Sequence, residues 1–124
     1  MIVGTGVDIV SVARMAHALH RHPRLIERVF TVAEQAAVSP GPHAVATWAS
    51  RFAAKEAVVK ALGGWHGGAW RDIEVLSRPG HAPEVRLGGT IAQWAGRGGL
   101  TVWLSISHER DYAVAMAVAE RIGP

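Results

Sequence analysis

The segment HAVATWASRFAAKEAVVKALGG, residues 43–64, decides how the chain folds, because it predicts one long helix. The helix-forming run extends from about His43 to Leu62 without proline or glycine. Gly63 and Gly64 follow it, at the position where helices favour a left-handed glycine cap. We therefore expect the rest of the chain to pack around a long central helix.

The charges within this helix indicate that it does more than fill the core. At about 100° per residue, Glu56 falls at the centre of an apolar stripe and Lys60 lies one turn further on. Arg51 and Lys55 form a separate basic pair on the flank, spaced i, i+4. The apolar positions around Glu56 are Val45, Ala49, Phe52, Ala53 and Val59.

The segment before the helix begins with a strand, MIVGTGVDIVSV, in which side chains alternate between two faces. Gly4, Gly6 and Asp8 share one face, so Asp8 is expected above a surface without side chains. The other predicted elements, in chain order, are a helix from Ser11 toward His22, a short helix to Phe30, a capping box at 31–34 that opens a third helix, a strand at 71–77, a turn at 78–83, a strand at 84–87, a short helix at 90–95, and strands at 100–107 and 112–119.

These elements predict one α+β domain over residues 1–124, with a mainly antiparallel sheet against the long helix. Helices and strands do not alternate regularly, which argues against a Rossmann arrangement. In the last strand, Tyr112, Val114, Met116 and Val118 form a bulky face, whereas the alternate positions are all alanine and form a flat one. The flat face is suited to close packing.

Composition narrows the functional classes. The chain has 124 residues, of which 49% are hydrophobic and 19% charged, a balance typical of a folded domain. It contains no cysteine, which excludes disulfide, zinc–thiolate and thiol-nucleophile chemistry. No apolar run approaches the about 18 residues of a membrane helix, and no secretory signal is visible, so a cytoplasmic location is expected.

The basic charge predicts an acidic partner. The net charge is +3 and the isoelectric point about 10.2. Of 13 cationic residues 11 are arginine, and the only lysines are Lys55 and Lys60. Nucleic acid, a phosphorylated small molecule and an acidic protein all fit this charge. The five tryptophans are not interleaved with the cations as a nucleic-acid stacking surface requires.

Three groups of charged residues could carry chemistry. Asp8 and Glu56 are suited to bind Mg²⁺, with water and a phosphate completing the coordination. Each could instead pair with an arginine, and Glu56 and Lys60 could form a structural ion pair. The cations Arg51, Lys55, Lys60 and His108 could surround a ligand with several phosphates, or lie on a solvated surface. The early helices carry Arg14, Arg21, Arg24 and Arg28, which could be solvated or could dock an acidic partner helix.

Three segments carry a resemblance to a known family: GTGVDIV at 4–10, RFAAKEAVVKALGG at 51–64 and SISHERDYAVA at 105–115. RVFTVAE at 28–34 and DIEVL at 72–76 support it more weakly. In these segments the chain resembles the holo-[acyl-carrier-protein] synthase family, the short 4′-phosphopantetheinyl transferases. The Lys-Glu pair followed four residues later by Lys-Ala in one helix is the most specific match.

The resemblance implies a fold, a reaction and roles. The fold would be that of the 4′-phosphopantetheinyl transferases. The reaction would transfer phosphopantetheine from coenzyme A to a serine hydroxyl of an apo acyl carrier protein, releasing adenosine 3′,5′-bisphosphate. Asp8 and Glu56 would hold Mg²⁺ on the pyrophosphate of coenzyme A, so Asp8 also counts as a coenzyme A-binding residue. Lys60 would stabilise or protonate the leaving phosphate, and Glu56, directly or through water, would take the serine proton.

The resemblance also implies coenzyme A contacts and an assembly. Arg51 and His108 would contact the 3′-phosphate, and Lys55, Gly63 and Pro83 would line the cleft. Glu109 stands where the family often has threonine or aspartate, and its charge would repel a 3′-phosphate unless it turned away. The family forms trimers with coenzyme A between neighbouring chains, which would use the flat alanine face. Arg14 and Arg21 would receive the acidic carrier protein.

Two other functions are compatible with the residues. Two carboxylates and a lysine could activate water in a Mg²⁺-dependent phosphohydrolase of nucleotides. A basic, non-enzymatic RNA-binding module is the third reading. A requirement for coenzyme A and an acceptor protein separates the transferase from the hydrolase, and lack of Mg²⁺ dependence would favour the RNA-binding module.

Overall fold

The computed structural model describes residues 1–123, and its order of elements follows the sequence-based expectation closely. The strands are β1 (Ile2–Ser11), β2 (Ile73–Leu76), β3 (Glu84–Leu87), β4 (Leu100–His108) and β5 (Tyr112–Arg121). The helices are α1 (Val12–Arg21), α2 (Leu25–Val29), α3 (Val32–Ala37), α4 (Ala44–Leu62) and α5 (Gly89–Gly98), with a 3₁₀ turn at Trp70–Asp72.

The strands form two antiparallel sheets. One is three-stranded, in the order β1-β5-β4, and places Asp8 of β1 opposite Ala115 of β5. The other is the β2–β3 hairpin. Helix α4 packs across the three-stranded sheet. Its N-terminal half shares a core cluster with α1 and α2, and its C-terminal half shares one with β2 and α5. The predicted α+β fold with a mainly antiparallel sheet against a long central helix is confirmed.

Local sequence signals placed several boundaries correctly. Gly63 ends α4 with φ of 80° and ψ of 12°, which is the left-handed cap that the double glycine predicts. Thr31 and Glu34 form the predicted capping box, each side chain accepting from the other residue's backbone N–H. Residues 70–72, partly assigned to a strand by the sequence, form a 3₁₀ turn instead. The Asp72 carboxylate accepts from Ala69 N at 3.0 Å and stabilises that turn.

The flat alanine face of β5 is buried within the chain, which corrects the expectation that it joins neighbouring chains. Its four alanines are 0–1% exposed and lie in the core with the alanines of α4. These four residues are Ala113, Ala115, Ala117 and Ala119. A helix backbone can approach a sheet closely only where the side chains between them are small. The bulky face of the same strand therefore points outward, with Met116 and Tyr112 exposed.

The glycines of β1 serve the same contact. A Cβ added to Gly6 would overlap the carbonyl oxygen of Ala57 and lie 2.8 Å from the backbone nitrogen of Ala61. A Cβ on Gly4 would overlap the carbonyl oxygen of Ala61. The surface without side chains beside Asp8 is thus where the C-terminal half of α4 rests.

We expect Gly6→Ala to destabilise the fold by about 1–3 kcal/mol, because overpacking against a backbone must move α4 or β1. The matched control is Gly96→Ala in α5, where nothing lies within 4 Å of the added carbon. That control should be neutral or stabilising by up to about 1 kcal/mol. Urea unfolding of the three proteins measures both effects, and a Gly6→Ala chain as stable as the original would show that β1 and α4 are not in such close contact.

No helix within residues 1–123 combines the length and the apolar composition needed to cross a bilayer.

Candidate active site

Asp8 and Lys60 meet where the end of α4 crosses β1. The Lys60 Nζ lies 3.2 Å from Asp8 Oδ1 and donates a 2.9 Å hydrogen bond to the carbonyl of Val7. Lys60 is in the last turn of α4, where the helix dipole favours a cation. Its side chain is about half exposed, whereas that of Asp8 is mostly covered.

Glu56 lies one turn before Lys60 and faces the same cavity as Asp8. This cavity has a volume of about 400 Å³, and Arg14, Met15 and Phe52 also line it. Burial raises the pKa of Glu56, the charge of Asp8 raises it further, and Lys60 opposes both. None of the salt bridges between residues 1–123 involves Glu56. The carboxylate of Glu56 is therefore without a cation of its own and close to a second carboxylate.

The donor set of this cavity fits Mg²⁺. Asp8 and Glu56 supply carboxylate oxygens from two elements that the fold brings together, and a divalent cation would relieve the unfavourable effect of Asp8 on ionised Glu56. No group of three or more His, Asp or Glu side chains suited to a metal occurs in the described part of the chain. Phosphate oxygens and water would have to complete the coordination, as Mg²⁺ in phosphate-binding sites commonly requires.

The helical wheel was right that Glu56 is unusual, but wrong about its place. Glu56 is half-buried at the edge of the packed surface, because α4 is covered on several sides and not along one stripe. The buried residues of α4 are Trp48, Ala49, Ser50, Ala53, Ala54, Lys55, Ala57, Val58, Ala61 and Leu62. In a helix that is buried on several sides, an acidic side chain that lines a cavity indicates a functional site.

Lys55 corrects the prediction of a basic pair that lines a ligand cleft. Its side chain is fully buried, and Nζ donates to Glu34 Oε1 at 2.7 Å, to the Trp70 carbonyl at 3.1 Å and to the Ile73 carbonyl. Burial lowers the pKa of Lys55, and the hydrogen bond and charge of Glu34 oppose that effect. With three protons donated inside the core, Lys55 has none left for a phosphate.

Glu34 is the partner that the sequence did not reveal. Besides its capping bond to Thr31 N at 2.8 Å, its carboxylate accepts from Lys55 and from Val75 N at 2.9 Å. The capping-box signal had already assigned the Glu34 carboxylate to one local bond. Nothing in the local pattern shows that the same group also neutralises a lysine 21 residues away.

The structure brings Arg51, Pro83 and His108 together around a second cavity of about 260 Å³. The Arg51 Nη1 donates to Ser77 Oγ at 2.7 Å, and Ser77, Thr47 and Ser50 add hydroxyl groups to the lining. Burial lowers the pKa of Arg51, with Glu34 opposing, but arginine stays protonated at neutral pH. The exposed Glu109 is not part of this lining. This cavity shares no residue with the one that contains Asp8 and Glu56.

Gly63 and Lys60 line a third cavity, of about 570 Å³, which shares no residue with the carboxylate cavity. Trp94, Arg97 and Arg121 also line it. These three residues share no sequence motif, because they come from α5 and from the end of β5.

Arg14 and Arg21 are exposed on α1, which begins with the Ser11 side chain accepting from Arg14 N. Arg14 lines the cavity of Asp8 and Glu56. Arg21 is the last residue of α1 and borders two grooves together with His22. A basic helix thus leads away from the carboxylate pair along the surface.

Comparison with known proteins places this site in a family. A family model described as the 4′-phosphopantetheinyl transferase superfamily matches residues 4–117. The holo-[acyl-carrier-protein] synthase of Beutenbergia cavernae is 49% identical over 122 residues, covering 98% of this chain and 100% of that protein.

Solved structures agree. A crystal structure of holo-[acyl-carrier-protein] synthase from Neisseria meningitidis superposes with a TM-score of 0.87 at 34% identity, over 97% of this chain and 99% of that one. A holo-(acyl-carrier-protein) synthase from Bacillus anthracis, solved in complex with CoA (3′,5′-ADP), has a TM-score of 0.81 at 33% identity, over 98% and 99% of the two chains. Together with the paired carboxylates, lysine and fold, these matches show that the chain is an enzyme of the holo-[acyl-carrier-protein] synthase family, within the 4′-phosphopantetheinyl transferase superfamily.

Proposed function

We propose that this enzyme transfers the 4′-phosphopantetheine group of coenzyme A to a serine hydroxyl of an apo acyl carrier protein, in a Mg²⁺-dependent reaction that releases adenosine 3′,5′-bisphosphate. The observation that carries the proposal is the Asp8–Glu56 pair beside Lys60, an arrangement suited to a metal-bound diphosphate. We propose in addition that the enzyme is cytoplasmic, as the sequence predicts.

Asp8, Glu56 and Lys60 would have different roles in this reaction. Mg²⁺, when bound, would neutralise charge on the diphosphate as the phosphoryl bond breaks. Asp8 and Glu56 would hold it. Glu56, as a carboxylate with no salt bridge among residues 1–123, is suited to take the proton of the attacking serine, directly or through water. Lys60, on a half-exposed side chain, can turn to the leaving phosphate and stabilise or protonate it.

The transfer is tested by intact-protein mass spectrometry of an apo acyl carrier protein incubated with coenzyme A, Mg²⁺ and this enzyme. The expected result is a gain of one phosphopantetheine mass that a chelator abolishes. If several unrelated carriers gain no mass while nucleotides release phosphate, the chain is a phosphohydrolase and the proposal is wrong.

We assign the cavity of Arg51, Pro83 and His108 to the 3′-phosphate and adenosine end of coenzyme A. Its cation, imidazole and hydroxyl groups suit a phosphate, and the Bacillus anthracis relative is in complex with CoA (3′,5′-ADP). This cavity and the carboxylate cavity share no residue within one chain. We propose that one coenzyme A uses the two cavities from neighbouring chains.

Arg51→Gln should raise the KM for coenzyme A about 10- to 100-fold, because a charge-assisted bond to the 3′-phosphate is lost. The control substrate is 3′-dephospho-coenzyme A, which lacks that phosphate. Its KM should be nearly the same for the two enzymes. If Arg51→Gln raised both KM values equally, Arg51 would serve the protein structure and not the 3′-phosphate.

We propose that the acidic carrier protein docks on α1, through Arg14 and Arg21. Arg14 borders the carboxylate cavity, so a partner held there would present its serine to Asp8 and Glu56. Exposed basic residues at such a position mainly raise the association rate and fix the orientation of an acidic partner.

We also propose that the chain forms a homotrimer, and the outer face of the three-stranded sheet supports this. Large apolar residues lie exposed on that face, among them Val7, Ile9, Trp103, Tyr112 and Met116. Contiguous exposed apolar surface of this kind is typical of protein interfaces. We therefore propose that the trimer contacts are made by this outer face and not by the alanine face of β5, which is buried within the chain.

Met116→Lys should separate the chains, because Met116 lies between Val7 and Ser105 in the middle of this face and is 52% exposed. A buried lysine without a partner costs several kcal/mol in an interface. Size-exclusion chromatography with light scattering should find a trimer for the original protein and a monomer, with little transfer activity, for the variant. A monomeric but active original protein would contradict the trimer.

A further inference from the structure

Lys60 forms a salt bridge with Asp8, one of the two carboxylates assigned to the metal. Its Nζ is 3.2 Å from Asp8 Oδ1 and also donates to the Val7 carbonyl at 2.9 Å. Asp8 is therefore already neutralised by a cation of this chain, whereas Glu56, in the same cavity, is not. The two metal-binding carboxylates are not equally available.

A divalent cation has to compete with this ammonium group. Two positive charges within a few ångströms repel each other, and the repulsion is stronger where a cavity excludes water. Asp8 is only 17% exposed, so its charge is poorly screened, whereas Lys60 is 52% exposed and its long side chain can move away. Lys60 leaves Asp8 readily only if a second anion receives it.

A diphosphate is such an anion. Lys60 lines the cavity that contains Gly63 and also contacts Asp8, which lines the carboxylate cavity. A diphosphate placed between the two cavities would take over the ammonium group and free Asp8 for the metal. Arg97 lines the same cavity as Lys60 and makes no salt bridge within residues 1–123.

We propose that Lys60 restricts access of the divalent metal to Asp8 until a diphosphate-bearing substrate binds, so that metal and diphosphate bind cooperatively. This rests on the proposed function, since it takes Asp8 and Glu56 as metal-binding residues and coenzyme A as the diphosphate substrate. By linkage, each ligand strengthens the binding of the other by the same factor.

The test measures binding of Mn²⁺, a substitute for Mg²⁺, from the loss of the free Mn²⁺ signal in electron paramagnetic resonance near pH 8. Without coenzyme A, Lys60→Met and Lys60→Gln should bind Mn²⁺ about tenfold more tightly than the original enzyme, within the range known for coupled sites. Coenzyme A should strengthen Mn²⁺ binding by a larger factor in the original enzyme than in either variant, after subtraction of Mn²⁺ bound to coenzyme A alone.

Arg97→Gln is the matched control, because it removes one positive charge from the same cavity without touching Asp8. Its affinity for Mn²⁺ should equal that of the original enzyme. If Arg97→Gln strengthens binding as much as Lys60→Met, general charge and not the ion pair sets the affinity, and the proposal is wrong.

Two further outcomes separate this inference from the proposed function. Equal Mn²⁺ affinity of the original enzyme and both Lys60 variants, with phosphopantetheine transfer by the original enzyme intact, overturns the inference alone. Failure of every form to bind Mn²⁺, with or without coenzyme A, overturns the assigned metal site and the inference together.

Discussion

Replacing Lys55 by methionine should lower the free energy of unfolding by about 3–5 kcal/mol, the usual cost of removing one partner of a buried ion pair. Both side chains of the Lys55–Glu34 pair are fully buried. Methionine fills nearly the same volume, so the loss comes from the uncompensated Glu34 carboxylate and from two carbonyls without a donor.

The effect is large because the pair joins four parts of the fold. Glu34 belongs to α3 and Lys55 to α4, and their remaining bonds reach the 3₁₀ turn at Trp70 and strand β2 at Ile73 and Val75. Few apolar contacts could replace these bonds without moving the segments that they connect. The pair thus holds the β2–β3 hairpin side of the domain against the central helix.

Lys60→Met provides the control, since it is the same substitution at the other lysine of the chain. Its salt bridge with Asp8 is about half exposed, so its loss should change the unfolding free energy by less than about 1 kcal/mol. Urea unfolding followed by circular dichroism compares the two variants. The double variant Lys55→Met with Glu34→Gln should lose less unfolding free energy than the two single variants lose in sum, because it leaves neither charge without its partner. A Lys55→Met enzyme as stable as Lys60→Met would show that the buried pair contributes little.

Lys55 also shows where inference from the sequence ends. Signals that depend on neighbouring residues, such as the Thr31–Glu34 capping box and the Gly63 cap, predicted the local structure correctly. The position of Lys55 on its helix is equally local information, but its environment depends on Glu34 and Ile73, which approach it only after the chain has folded. A helical wheel treats the helix as having one covered side, and α4 is covered on several.

The sheet gives a second example of the same limit. Alternation in β5 correctly separated its alanines from Met116 and its bulky neighbours. A strand pattern does not show which face meets the chain's own helix, however, and the glycines of β1 provided the missing signal. Gly4 and Gly6 lie on the face of Asp8, and close approach of a helix explains both them and the alanines.

The closeness of Asp8 and Glu56 was easier to predict than the other residues that line the cavities. Asp8 and Glu56 are acids in otherwise apolar or glycine-rich segments, and that contrast is visible without a structure. Ser77 and Arg97 are ordinary surface residue types in loops and helix ends, and only the folded chain places them beside Arg51 and Lys60.

Glu56→Gln should lower the rate of metal-dependent transfer by about 10²- to 10⁴-fold, while the fold stays intact. Glutamine keeps the shape of the side chain but is a poor ligand for Mg²⁺ and cannot accept the serine proton. The rate is measured by the mass gain of the carrier protein. Asp8→Asn, which removes the other carboxylate of the same cavity, should lower the rate in the same way.

The stability of Glu56→Gln distinguishes a functional carboxylate from a structural one. Burial and the neighbouring Asp8 raise the pKa of Glu56, so its ionised form is disfavoured in the folded state. At pH values above that raised pKa, the variant should therefore have an equal or higher Tm. That difference should shrink as the pH falls through the raised pKa, because the original Glu56 then becomes neutral as well. A marked fall in Tm at neutral pH would instead make Glu56 a structural partner of Lys60, and the loss of transfer could no longer be assigned to the metal site.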